Sequence, residues 1–221
     1  MSSFRGVFSS SVGTKLLVGL TGLLLFAYLL LHLAGNLLVF AGQETFNQYS
    51  HMLIANPLIV PIEIGLAGVF LLHVYEAIAM WLRNRGARPV GYQKKTWAGH
   101  TSRKSLSSTT MIWTGLITLL FVGVHLQQFK FGAWYQIGDP PIRDLYRTEA
   151  EVFASPLWVG VYVSCVILIG FHLRHGISSA FQSLGVDHPV YAKQLVAAGT
   201  ILAVLIAAGF AAIPIWVYVT R

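Results

Sequence analysis

Residues 26–40 read FAYLLLHLAGNLLVF, an apolar run that contains one ionisable side chain, His32. The run begins near residue 14, so as a helix it is long enough to cross the roughly 30 Å hydrocarbon core of a bilayer. An imidazole inside hydrocarbon is costly and normally has a polar partner. No such partner is evident nearby in the sequence, and we expect it on another helix.

The composition indicates that this run is one of several membrane spans. Hydrophobic residues make up 55% of the 221 residues and charged residues 10%, against about 25% charged residues in soluble domains. We predict an all-α membrane protein, a five-transmembrane-helix bundle that forms one integral membrane domain over residues 1–221, with no internal repeat. The predicted helices are 14–40, 58–82, 108–131, 156–182 and 190–219.

The distribution of basic residues predicts the orientation of the chain. If the N-terminus is inside, eleven Lys and Arg residues fall in inner segments and four in outer segments. Cytoplasmic loops carry such an excess, so we predict a cytoplasmic N-terminus and an outside C-terminus. The same excess accounts for the net charge of +7, and we predict membrane lipid, not nucleic acid, as a partner.

Four histidines lie inside spans, one in each of the first four predicted helices. A rise of about 1.5 Å per residue puts His32 and His125 near the outer side of the membrane. The same rise puts His73 and His172 in its inner half. Two facing pairs favour two bis-His haems, because helical bundles build cofactor sites from inward side chains on facing helices.

Other metal centres fit the sequence less well. Zinc sites commonly have three or four protein ligands at one point, whereas these histidines lie two by two at separate levels. The single cysteine, Cys165, excludes disulfides and cysteine-ligated iron–sulfur clusters within the chain. A haem plane also needs small residues beside its ligands. The candidates for that role are Ala34, Gly35, Gly123, Gly170 and Gly176.

Six segments together resemble one known family. They read SSSVGTKLLVGLTGLLL (9–25), HLAGNLLVF (32–40), FNQYS (46–50), FLLHVYEAIAMWLRNR (70–85), FVGVHLQQF (121–129) and GFHLRHGISSAFQSLG (170–185). As a set they resemble the cytochrome b558 subunit, the di-haem membrane anchor, of bacterial succinate dehydrogenase / fumarate reductase. The resemblance covers essentially the whole chain, and the four histidine segments occur in the family's order.

The resemblance implies a cytochrome b of respiratory complex II in the bacterial cytoplasmic (inner) membrane, with roles in electron transport and the tricarboxylic acid cycle. It implies two haem b groups, a flavoprotein subunit and an iron–sulfur subunit on the cytoplasmic side, and a quinone, menaquinone, as substrate. The axial ligands of the inner haem iron would be His73 and His172, and those of the outer haem iron His32 and His125. The chain would be enzymatic as the quinone-reactive subunit, with no dehydrogenase activity alone.

Residues near the inner membrane surface are candidates for contact with the haem propionates. His175 follows His172 by three residues on the same helical face, so it is either an alternative ligand or a propionate partner. Glu76 is expected to pair with Arg174. The other candidates at the level of the inner haem are Lys15, Ser11, Arg103, His100 and Arg174.

A quinone site needs titratable or polar groups, because reduction of a quinone by two electrons also consumes two protons. Glu63, at the start of the second predicted helix, is the candidate for this proton chemistry on the outer side. His51, Asn47 and Gln43 are further outer candidates. The inner candidates are Ser10, Ser11, Lys15 and Arg103.

Three other functions remain open. A di-haem cytochrome b of hydrogenase, formate dehydrogenase or nitrate reductase type would carry similar ligands, and its copurifying subunits would distinguish it. A metal-ion or proton transporter with a histidine relay should carry more acidic residues within its spans than Glu63 and Glu76. A purely structural anchor gives no reason for histidines paired by depth.

Overall fold

The computed structural model of the protein describes residues 10–87, 105–186 and 188–220. Its α-helices are α1 (Ser11–Asn36), α2 (Gln43–Ala55), α3 (Ile59–Gly86), α4 (Leu106–His125), α5 (Leu145–Val152), α6 (Pro156–Ser183) and α7 (Pro189–Thr220). A 3₁₀ segment, Leu37–Ala41, extends α1, and a π-helical segment, Leu126–Lys130, extends α4. Two short antiparallel strands, β1 (Gln136–Ile137) and β2 (Ile142–Arg143), pair Gln136 with Arg143 and Ile137 with Ile142.

Five of these elements are long and apolar enough to cross a membrane. They are Ser11–Ala41, Ile59–Gly86, Leu106–Lys130, Pro156–Ser183 and Val190–Thr220. The prediction of an all-α protein with five membrane-crossing helices is therefore confirmed, with ends that differ from the predicted ones by a few residues. The orientation of the termini and the assignment of residues 1–221 to one domain stay predictions.

Local capping signals account for where several spanning helices begin and end. The Ser10 side chain accepts a hydrogen bond from a backbone N–H in the first turn of α1, and Ser105 and Ser108 form a capping box at the start of α4. Pro156 occupies the first turn of α6, where its missing N–H has no intrahelical partner to lose. After α6 the chain turns at Gly185, whose φ of 87° favours glycine.

The short helices α2 and α5 lie outside the predicted spans and are joined by buried polar contacts. Asp144, which caps α5, accepts hydrogen bonds from Asn47 Nδ2 at 2.8 Å and from Gln43 Nε2 at 2.9 Å. The Asn47 side-chain oxygen in turn accepts from the backbone N–H of Tyr146 at 3.0 Å. Asn47 and Asp144 are both buried. These contacts fix the two short helices against each other at one end of the bundle.

The apolar packing of the bundle divides into two clusters. The first, beside α2 and α5, has the buried members Val39, Phe46, Phe153, Tyr162, Ile213 and Val217. The second has the buried members Leu173, Ile177, Ala203 and Ile206. Helices α6 and α7 pack through small residues, since a Cβ added to Gly170 would lie 2.9 Å from the Cβ of Ala207. Such small residues are typical of helix contacts in membranes.

Candidate cofactor-binding site

The histidines of α3 and α6, His73 and His172, make up one pair because their surroundings are equivalent. Each imidazole meets a threonine of a neighbouring helix: His73 Nδ1 is 3.0 Å from Thr21 Oγ1, and His172 Nδ1 is 3.2 Å from Thr114 Oγ1. Both threonines are buried. Each ring is therefore held by a different helix, His73 by α1 and His172 by α4.

A glycine next to each threonine faces the same imidazole. A Cβ added to Gly22 would lie 3.2 Å from His73 Cε1, and one added to Gly115 would lie 3.3 Å from His172 Cε1. Those distances are tighter than ordinary van der Waals contact. Glycine therefore lets the two histidine rings approach the backbones of α1 and α4.

The histidines of α1 and α4 form the second pair. The rings of His32 and His125 have centroids 5.8 Å apart and planes at 90°. An aromatic side chain one helical turn earlier stacks on each: Tyr28 on His32 at 5.4 Å, and Phe121 on His125 at 5.8 Å. Phe210 of α7 contacts His32 from the other direction, at 5.8 Å. This pair lies in an aromatic environment.

The polar surroundings of the second pair are sparse. The amide nitrogen of Asn36 lies 3.4 and 3.5 Å from the two ring nitrogens of His32, at the long end of hydrogen-bond distances. The same nitrogen donates a hydrogen bond to the backbone carbonyl of His32 at 2.7 Å. The expectation that no nearby residue approaches His32 is therefore wrong, although the contact is weak. Within the part of the chain that the structure describes, the buried Nδ1 of His125 has no hydrogen-bond partner.

The glycines that the sequence suggested for the cofactor have other surroundings. Gly170 packs on α7, and Gly35 faces the Tyr49 ring, where a Cβ would lie 2.6 Å from Cε1. Added Cβ atoms on Gly123 and Gly176 would meet nothing within 4 Å. The expected role of Gly170 and Gly35 beside the ligands is therefore wrong.

The threonines and glycines that do contact the histidines could have been found from the dipeptide Thr-Gly, which occurs eleven residues before both His32 and His125.

Two arginines meet buried hydroxyls near the His73–His172 pair. Arg83 Nη2 donates to Thr14 Oγ1 at 2.7 Å, and Arg174 Nη1 donates to Ser107 Oγ at 2.9 Å. The expected pair between Glu76 and Arg174 is therefore wrong, because the guanidinium of Arg174 is directed at Ser107.

The remaining inner candidates contribute less to the described geometry. Lys15 and Ser11 lie exposed in the first turns of α1, and Ser10 serves as its N-cap. Arg103 and His100 lie outside the described residues. His175 is half-buried one turn beyond His172, but the described hydrogen bond to Thr114 is made by His172.

The outer candidates for a quinone site also differ in their surroundings. The carboxylate of Glu63 forms a salt bridge with Lys130 at the end of the π-helical segment. Asn47 and Gln43 are occupied by Asp144, so their expected place beside a quinone is not supported. His51 is exposed on α2.

Helix α5 adds a buried carboxyl group that the sequence did not single out. Glu149 is buried, and its Oε2 has no hydrogen-bond partner among the described residues. Burial raises the pKa of Glu149 from 4.5 to about 8. A carboxyl group in a short polar helix gives no periodic signal of burial, and for this reason Glu149 could not be predicted.

The donor atoms of the two pairs fit haem iron better than a bare metal ion. Residues 10–87, 105–186 and 188–220 contain no group of three or more His, Cys, Asp or Glu side chains that could hold a metal ion. Haem iron, in contrast, can be held by axial imidazoles alone. The rings of His32 and His125, from two different helices, also lie close enough to face one group between them. The residues present therefore fit two bis-His haem groups.

The fold and the site define a multi-pass, all-α membrane protein in which two intramembrane histidines, His32 and His125, are in contact and two others, His73 and His172, have equivalent threonine partners. The chain is similar to the succinate dehydrogenase cytochrome b558 subunit of Bacillus subtilis (strain 168), with 28% identity over 161 residues, or 72% of each chain. No family model matches the sequence, and no solved structure matches it. The similarity to the Bacillus subtilis protein supports the predicted family.

Proposed function

We propose that the protein is the membrane-anchor cytochrome b subunit of a succinate:quinone oxidoreductase. It would carry electrons from an iron–sulfur subunit through two bis-His haem b groups to a quinone, menaquinone. The observation that carries this proposal is the contact between the intramembrane histidines His32 and His125, together with the equivalent threonine contacts that α1 and α4 make to His73 and His172. The similarity to a succinate dehydrogenase cytochrome b558 subunit supports it.

His73 and His172 would hold the inner haem, and His32 and His125 the outer haem. The haems would supply one-electron carriers at two depths of the membrane. The protein's own residues fix the imidazoles and keep water from them. Thr21 and Thr114 hold the inner rings by hydrogen bonds, and stacked aromatic side chains cover the outer rings.

The cytoplasmic end of the bundle would dock the flavoprotein and iron–sulfur subunits. The excess of Lys and Arg in the inner segments supports that orientation. Oxidation of succinate itself belongs to those partners, because the chain has one cysteine and cannot hold a cysteine-ligated iron–sulfur cluster. The inner pair of histidines would then lie nearer the partner subunits, and the outer pair farther from them.

Quinone reduction would occur at the outer end, with Glu63 as the group that takes up and passes on protons. Two electrons and two protons convert the quinone to the quinol. Glu63 is partly exposed, and its carboxylate forms a salt bridge with Lys130 beside the first turns of α3, the end that would face outside. Its neighbour Lys130 follows His125 by five residues, which supports a site close to the outer pair.

The test is the haem content of purified protein with its copurifying subunits. His32→Ala and His73→Ala should each remove one haem b and leave the other, whereas the exposed His51→Ala should keep both. The copurifying partners should carry flavin. Nickel or molybdenum in the partners would instead assign the chain to a hydrogenase, formate dehydrogenase or nitrate reductase. Unchanged haem content in both intramembrane variants would contradict the proposal.

A further inference from the structure

Helices α1 and α4 carry the same pattern of residues, although no internal repeat was expected. Each of six positions in α1 has a counterpart 93 positions later in the chain, as from 32 to 125. The pairs are Thr14 and Ser107, Thr21 and Thr114, Gly22 and Gly115, Leu23 and Leu116, Tyr28 and Phe121, and His32 and His125. The pattern runs from a hydroxyl at the inner end to a histidine at the outer end.

The counterparts also make equivalent contacts, which an accidental sequence match would not produce. The hydroxyls of Thr14 and Ser107, the first pair of counterparts, each accept a hydrogen bond from an arginine. The threonine and the glycine contact the inner histidine of the neighbouring helix. The aromatic ring stacks on the outer histidine of its own helix. The two helices therefore offer the same support to the two halves of the site.

The hydrogen bonds of the threonines decide which way the contact with histidine runs. Thr21 Oγ1 donates its hydrogen to the Leu17 carbonyl at 2.6 Å, and Thr114 Oγ1 donates to the Met111 carbonyl at 3.1 Å. A hydroxyl has one hydrogen to give. Because each hydroxyl is already directed at a carbonyl of its own helix, the threonine oxygen is available to accept from the imidazole, and this arrangement favours a ring that carries its proton on Nδ1.

We infer that Thr21 and Thr114 are positioning residues that fix His73 and His172 in the Nδ1–H tautomer, with the Nε2 lone pair free to bind iron. This inference rests on the proposed function for its consequence, the binding of the inner haem, but the tautomer itself is a property of the protein alone. The same hydrogen bond makes the imidazole more basic, as outer partners of metal-bound histidines do.

The outer pair has no equivalent acceptor within the described residues. His125 Nδ1 has no partner there, and the group nearest the ring nitrogens of His32 is the amide of Asn36, which donates. Removal of either threonine hydroxyl should therefore alter the tautomer of the inner histidine that it contacts and leave the tautomers of His32 and His125 unchanged.

The first experiment reads the tautomer without any haem. Protein labelled with ¹⁵N-histidine and prepared without haem should show His73 and His172 with Nδ1 protonated and Nε2 bare. Thr21→Val should raise the share of the other tautomer at His73 alone, and Thr114→Val at His172 alone, with the Val18 and Met111 carbonyls as the acceptors that remain. Thr21→Ser and Thr114→Ser should restore the single tautomer. Nε2-protonated rings in the unmodified protein, or valine variants with unchanged rings, would overturn the inference.

The second experiment reads the consequence in the haem-loaded complex. Each valine variant should raise the midpoint potential of the inner haem and weaken its retention by roughly 10–100-fold. The outer haem should be unchanged. The serine variants should have the potential and haem retention of the unmodified protein. Thr118→Val is the matched control, because the hydrogen bond that its hydroxyl makes among the described residues is to the carbonyl of Thr114 in its own helix. Unchanged potentials in the valine variants, or serine variants as impaired as valine, would contradict the inference. If the complex holds no haem, the proposed function fails while the tautomer measurement still decides the role of the threonines.

Discussion

The imidazoles of His32 and His125 lie with centroids 5.8 Å apart and planes at 90°, although they belong to α1 and α4. Helices α1 and α4 also hold the inner histidines through Thr21 and Thr114. One pair of helices therefore takes part in both levels of the site. A group bound between the histidines would link helices that are distant in sequence, and its binding energy would add to the stability of the folded bundle.

The glycine faces beside the inner histidines give a direct steric prediction. Gly22→Ala and Gly115→Ala would place a Cβ 3.2 and 3.3 Å from the Cε1 atoms of His73 and His172, so the rings must shift. We expect partial loss of the inner haem and retention of the outer haem, measured as haem b per chain. Gly65→Ala is the control, since its added Cβ would meet nothing within 4 Å. Equal haem contents in all three variants would show that the close approach is unimportant.

The salt bridge between Glu63 and Lys130 gives a prediction about the side on which the quinone reacts. Glu63→Gln should lower quinone reductase activity at least tenfold while both haems remain bound and reducible, because the variant cannot pass on protons. Lys15→Ala, at the other end of the bundle, is the comparison and should stay close to the unmodified activity. Loss of activity in the Lys15 variant alone would place the quinone site on the inner side.

The contact between α2 and α5 predicts a stability effect far from the histidines. Asp144→Ala leaves the amides of Asn47 and Gln43 without their acceptor, which should cost about 1–3 kcal/mol of stability. The thermal midpoint in detergent micelles measures this loss. Glu44→Gln is the control, because Glu44 is exposed and accepts from Gln48 of its own helix. A midpoint equal to that of the control would mean that this contact contributes nothing.

Acid should weaken the same contact in the unmodified protein. Burial acts to raise the pKa of Asp144, but hydrogen bonds from Asn47, Arg147 and Gln43 outweigh it and hold the pKa below its usual value. A group whose pKa is depressed in the folded state stabilises the protein above its unfolded pKa, and that contribution is lost as the pH falls through the folded value. The Asp144→Ala variant should therefore lose less stability on acidification than the unmodified protein.

Glu149 predicts the opposite dependence on pH. Its pKa is raised from 4.5 to about 8 by burial, so the folded state binds a proton that the unfolded state releases. Its contribution to stability is full below pH 4.5 and is lost as the pH rises to about 8. Glu149→Gln should remove this loss of stability. At about pH 8 the amide hydrogens of α5 should then exchange more slowly in the variant than in the unmodified protein. Glu151→Gln, on the exposed side of the same helix, should not slow the exchange; equal exchange in the two variants would contradict the prediction.

The spanning helices could be predicted because length and apolar composition alone identify a membrane span. The depths of the histidines followed from helical rise, which is why the contact between His32 and His125 was anticipated. The short helices α2 and α5 gave no such signal, because their polar residues are buried by specific bonds such as Asn47 to Asp144. Periodicity does not report bonds between residues so distant in sequence.

The supporting residues of the site were harder to predict than the histidines. Small residues near each histidine in sequence, such as Gly170, were expected beside the cofactor, but Gly170 packs on Ala207. The residues that do contact the inner histidines, Thr21 and Thr114, lie 52 and 58 positions away from them. The Thr-Gly dipeptide shared by α1 and α4 marks these residues in the sequence, but the sequence of one helix does not show which helix is its neighbour.

The most direct test of the proposed electron path is the amount of haem b per polypeptide. Pyridine haemochrome analysis of the purified chain with its copurifying subunits measures it, together with a dithionite-reduced minus oxidised spectrum. Two low-spin haems b per chain are expected, one for each histidine pair. A single haem would remove one level of the path, and a well-folded preparation without haem would contradict the proposed function.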